Sequence, residues 1–66
     1  MVTDEREQMI AVLRNALDQE RTTRARLSTY VGRSMKQDAF ERYRTRSEEN
    51  ERELIMALAA LGINDA

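Results

Sequence analysis

Sixty-six residues make one domain at most, and a core of that size supplies only about 3–5 kcal/mol unless something staples it. There is no Cys for a disulfide and neither Cys nor His for a zinc site, which leaves oligomerisation as the staple. The same absences remove the usual general base and the best nucleophile, and neither glycine-rich phosphate loop occurs, so the composition speaks against an enzyme and implies no cofactor.

Proline is absent, and glycine stands only at positions 32 and 62. Ala, Leu, Glu, Arg, Met and Gln dominate; all are strong helix formers, and the expected class is all-α. The net charge is −1, but it is unevenly spread. Residues 21–46 carry eight Arg or Lys against two carboxylates, a net +6, and the remainder carries three arginines against ten carboxylates, a net −7. Asymmetry of this kind suggests an anionic partner, or self-complementarity between subunits. The segment Met1 to Arg6 is acidic and lacks a following apolar stretch, so it does not read as a signal peptide. The longest apolar run falls far short of the roughly 20 residues a membrane span needs, and a cytoplasmic protein is expected.

Thr3 is a fair N-cap for a first helix, with Asp4 and Glu5 in the turn where carboxylates complement the helix dipole. From there Ile10, Leu13, Leu17, Glu20, Arg24, Leu27 and Val31 recur at spacings of three and four. Met9, Ala16, Thr23 and Tyr30 flank that line. The pattern predicts a helix over about 4–31, ended by Gly32 in a left-handed conformation, and a turn over about 32–34. Ser34-Met35-Lys36-Gln37 fits a capping box and predicts a second helix over about 35–61. Its facing line is Phe40, Tyr43, Ser47, Asn50, Leu54, Ala57 and Leu61. Leu61-Gly62-Ile63 reads as a Schellman stop, and residues 62–66 as a frayed tail.

So short a connection makes the helices antiparallel neighbours. Facing positions then sum to about 71, which sets Val31 against Phe40, Arg24 against Ser47, Leu17 against Leu54, and Leu13 against Leu58. Apolar meets apolar at both ends and polar meets polar in the middle. A single continuous helix is the alternative, and Gly32 followed by a capping box argues against it.

Three constellations stand out. The first is Leu54–Leu61, eight residues without a polar side chain, which asks for burial on several sides. With it, Met9, Val12, Leu13, Leu54, Ile55, Leu58 and Leu61 form the expected oligomer interface, most simply a two-fold dimer closing a four-helix bundle. The second is a polar core layer of Glu20, Arg24, Ser47 and Asn50 with Glu51 near, expected to fix register or to line a pocket between helices. The third is the basic turn region, where Arg26, Arg33, Lys36, Arg42, Arg44 and Arg46 surround Tyr30, Phe40 and Tyr43. Arginine forks suit phosphate and an exposed aromatic face suits a base, so Arg24, Arg26, Tyr30, Arg33, Lys36, Arg44 and Arg46 are the candidate ligand residues. The E-x-x-E spacing of Glu48 and Glu51 could serve a magnesium ion, but Arg44 and Arg52 lie one turn either side of Glu48, and the run reads as a solvated face rather than a metal site.

The expectation is a small non-enzymatic, oligomeric binding protein for a nucleotide or nucleic acid. The alternative is an adaptor or inhibitor that binds another protein. Its general plan resembles that of unrelated small plasmid, phage and regulatory proteins, a likeness of architecture that implies no function.

Overall fold

The computed structural model describes residues 2–64, with side chains from residue 5 onward. Two helices, α1 (Val2–Ser28) and α2 (Gln37–Ala60), pack against each other as an antiparallel hairpin. The hairpin measures 49 × 15 × 15 Å. Its radius of gyration is 14.7 Å, against about 11 Å for a compact chain of this length. No helix of the described residues is long and apolar enough to cross a membrane.

The register is the one the sequence implies. An Arg24 guanidinium N–H donates to Ser47 Oγ at 3.2 Å across the interface, the pair placed opposite by the sum of 71. On the inner lines Leu17, Phe40 and Ser47 are buried and Ile10, Leu13, Leu27, Leu54 and Leu61 half-buried, while the seam of α2 shifts by one residue to bury Leu58 beside the half-buried Ala57 and to leave Asn50 exposed. The core is therefore a single seam one side chain wide. Ser47 suits that seam because its small hydroxyl fills little space and is satisfied by Arg24.

Helix boundaries depart from expectation at the turn. α1 stops at Ser28, three residues before Val31. The Ser28 and Thr29 hydroxyls donate to the carbonyls of Ala25 and Arg26 at 2.6 and 2.7 Å, and the Thr29 and Tyr30 N–H groups close onto Arg26 and Leu27 with three-residue spacing. Such side-chain bonds compete with the helical ladder, and the tightened last turn ends it. Residues 29–36 then form a self-bonded loop. The Tyr30 carbonyl accepts from both Arg33 and Met35 N–H, and Gly32 N–H donates to the Met35 carbonyl at 3.0 Å. Ser34 accordingly does not cap α2, because the Met35 carbonyl that would accept a helical bond from Ala39 is turned back onto Gly32, and Ala39 N–H goes to Asp38. Lys36, in extended conformation, is the N-cap without a side-chain bond, and Asp38 supplies an acceptor to the Ala39 N–H at 3.0 Å instead.

Gly32 lies inside this loop at φ +85°, not directly after the helix. A Cβ there would meet nothing within 4 Å, so only the backbone opposes substitution. Gly32→Ala should lower stability by about 1 kcal/mol, and Gly32→Asn by less, because Asn tolerates the left-handed region. Urea midpoints of the two variants check this order.

At the far end Gly62 and Ile63 belong to the helix stop rather than to a frayed tail. Ile63 N–H donates to the Leu58 carbonyl and Gly62 N–H to that of Ala59, each at 2.9 Å, with Gly62 at φ +89°. This is the Schellman arrangement. The Arg6 guanidinium reaches across from α1 to donate to the Leu61 carbonyl, placing a cation at the negative end of α2. α1 begins at Val2, ahead of the expected cap at Thr3, whose side chain, like that of Asp4, lies outside the described residues, as do Asp65 and Ala66.

Candidate functional site

The apolar run Leu54–Leu61 is not buried all round. Leu58 is fully buried within its own hairpin, so it offers nothing to a partner. Leu13, Leu54, Ile55 and Leu61 are half-buried. What remains outward is Met9, Val12 and Met56, which are 54, 67 and 71% exposed, with Ala59 and Ala60 also exposed. Of the expected interface, Met9 and Val12 are the members left open.

In the polar layer Glu51 stands where Asn50 was expected. Asn50 is exposed, and Glu20 is half-buried to one side. Glu51 accepts from Arg21 Nε at 2.8 Å through Oε2 and from Arg24 at 2.6 Å through Oε1, while Arg24 also holds Ser47. One carboxylate thus bridges two guanidiniums, and no buried side-chain polar atom among the described residues is left without a partner. The hydrogen bonds from Arg21 and then Arg24 hold the Glu51 carboxyl below the usual carboxylate range, and the bond to Glu51 raises Arg24 further above its ordinary value. A helix of 3.6 residues per turn drifts against a strict heptad line, which carries the seam from Asn50 toward Glu51. The sequence signal that favours Glu51 is the pair Arg21 and Arg24 opposite, since a carboxylate can bridge two guanidiniums one helical turn apart and the Asn50 amide carries no charge to do so.

Arg24 is therefore withdrawn from the candidate ligand set: its guanidinium is occupied. The remaining cations of the turn half stand differently. Arg26, Arg33, Lys36, Arg42, Arg44 and Arg46 are all exposed, and none makes an ion pair among the described residues. Arg42 and Arg46, one helical turn apart on α2, line a surface hollow of about 350 Å³ with Tyr43 between them. Tyr43 also packs on Phe40, ring centroids 6.2 Å apart and tilted by 42°, so its ring is anchored in the seam. Tyr30 is 43% exposed at the turn itself. Arg42, not among the candidate ligand residues, is brought into this group by its hollow. The expected anion-binding helix end at Ser34 is not formed, and Asp38 already occupies an N–H donor of the first turn of α2.

Among the described residues no group of three or more carboxylates is gathered closely enough to hold a metal ion. Glu48 lines a second hollow, of about 340 Å³, with Arg24, Glu51, Arg52 and Ile55.

No protein-family model, curated protein or solved structure matches this chain.

Proposed function

We propose that the chain is a non-enzymatic, oligomeric binding protein whose turn end holds a phosphate-bearing ligand, a nucleotide or a nucleic acid. The observation that carries this reading is the set of six exposed cations of the turn half that have no ion-pair partner among the described residues. Where the fold needs arginines it pairs them, as with Arg21 and Arg24 on Glu51. The six others are surplus to folding and repel one another, a cost a polyanion relieves. Guanidinium forks at Arg42 and Arg46 match phosphate geometry, and the exposed Tyr30 ring suits a stacked base. The overall net charge of −1 argues against a general nucleic-acid coat and for a site confined to the turn end.

The test is a fluorescence-anisotropy titration with a labelled single-stranded oligonucleotide. Binding is expected at low salt, and with three phosphate contacts it should weaken by about 20-fold between about 50 and 200 mM salt, as released counterions oppose it. Reversal of both Arg33 and Arg44 to Glu should abolish it while leaving the helical circular-dichroism spectrum intact, because both positions are exposed. An absence of binding at low salt would overturn the reading.

The second reading, an adaptor or inhibitor of another protein, is favoured by the exposed Met9, Val12 and Met56, since flexible methionines suit adaptable apolar contacts. The protein as purified separates the two. With two Tyr and no Trp, even one retained nucleotide dominates the near-ultraviolet spectrum.

A further inference from the structure

The bond between Arg21 and Glu51 fixes which edges of the two helices adjoin. Ile10 and Arg14 share the Arg21 edge of α1 by their spacing, and Ile55 shares the Glu51 edge of α2. The opposite side of the hairpin therefore carries Met9, Val12 and Ala16 from α1 beside Tyr43, Asn50 and Ala57 from α2. This second side is open: Met9 and Val12 are more than half exposed, and no element among the described residues covers them.

We infer that this side is covered by a second copy of the chain, packed antiparallel, with the two-fold axis perpendicular to the long axis of the hairpin. Two observations choose the occupant and its direction. The first is area. The chain exposes 5244 Å², whereas a folded chain of 7.7 kDa exposes about 4,300 Å². The excess of about 900 Å² is what one partner contributes to a standard protein–protein interface, about 800 Å². The second is charge. The turn half, residues 21–46, carries +6 and the remainder −7. A parallel pair sets basic half on basic half and acidic on acidic. The antiparallel pair sets each basic half along its partner's acidic half. Ala16 and Ala57, both small, stand toward mid-length, where the two hairpins approach most closely.

The inference rests on the oligomeric part of the proposed function and not on its ligand, because Arg33, Lys36 and Arg44 remain outside the interface at the two ends of the assembly.

The arrangement is tested by spin-labelling Ser34→Cys, the only cysteine in the chain, and measuring the distance between labels in the full-length protein by pulsed dipolar spectroscopy. The antiparallel dimer places the two turns at opposite ends, separated by roughly the hairpin's own 49 Å. A parallel dimer brings them within about 20 Å, since packed helices lie 8–10 Å apart, and that result overturns the arrangement while leaving the oligomer standing. A monomeric mass by light scattering overturns both. Val12→Asp reads the face: the exposed position tolerates the change in the hairpin, so helix content stays, and association should weaken about tenfold or more as an unpaired carboxylate is buried. Association should also weaken as salt shortens the screening length from about 10 Å at 0.1 M to about 3 Å at 1 M. Undiminished association of Val12→Asp rules this face out, and association that tightens with salt rules out the charge pairing.

Discussion

Leu58→Ala should leave the chain largely unfolded at 25 °C, read as lost helical circular dichroism and no cooperative urea transition. Among the described residues Leu58 is the largest side chain completely removed from solvent. Truncating a buried Leu to Ala costs about 2–5 kcal/mol, the spread reflecting how far the site collapses around the cavity. A core this small supplies only about 3–5 kcal/mol in total. The seam is one side chain wide, so no second layer can move in to fill the space. Met56→Ala, two residues away and 71% exposed, is the control and should change stability by no more than about 0.5 kcal/mol. A parent-like urea curve for Leu58→Ala would show that Leu58 does not carry the hairpin's core. A concentration-dependent loss in Met56→Ala would show that a partner also covers the back of α2.

The contrast between those two residues also marks what was legible in the sequence. The inner line of α1 could be read because its residues recur at spacings of three and four, and that of α2 in part, since the strict spacing takes in the exposed Asn50 and misses the buried Leu58. The register followed too, since apolar ends and a polar middle match in only one antiparallel alignment, and the bond between Arg24 and Ser47 falls on it. Both glycines were legible as left-handed positions. What misled was local chemistry with two outcomes. Ser34 and Gln37 have the residue types of a capping box, but the same stretch can bond back onto Tyr30, and a loop of eight residues replaced the expected turn of three. The eight-residue apolar run suggested burial on all sides, yet nothing in its own composition shows that Met56 would face outward on a two-helix seam. At the candidate site the residue types were legible and their pairing was not. Which arginines fold the chain and which are left over depends on whether Asn50 or Glu51 faces α1, a matter of tens of degrees of helix rotation.

Glu51→Ala should cost about 2 kcal/mol at neutral pH, the second-largest effect on stability expected here, because hydrogen bonds to charged groups contribute about 1.5–3 kcal/mol and these are partly open to water. The side chain is 17% exposed and Arg24 is 22% exposed, so solvent can compensate only part of the loss, while Arg21, at 44%, recovers most of its hydration. Removal of the carboxylate also leaves Ser47 as the remaining acceptor for Arg24. The conservative variant Glu51→Gln separates charge from packing by its pH dependence. The folded carboxyl is held below its unfolded value, about 4.3, so its contribution is complete above that pH and disappears as pH falls through the lower, folded value. Parent stability should therefore decline below about pH 4.5, and the decline should be shallower in Glu51→Gln, which has no carboxyl to protonate at this position. The raised Arg24 contributes in the opposite sense: its share is present throughout the acid and neutral range and is lost only in strong alkali, so it adds no slope to the acid limb. The difference between the two curves isolates position 51. Urea midpoints for parent and variant between about pH 3 and pH 7 measure that difference directly. Coincident acid limbs would mean that Glu51 is no better paired in the folded chain than in the unfolded one, and Arg24 would then rejoin the candidate ligand residues.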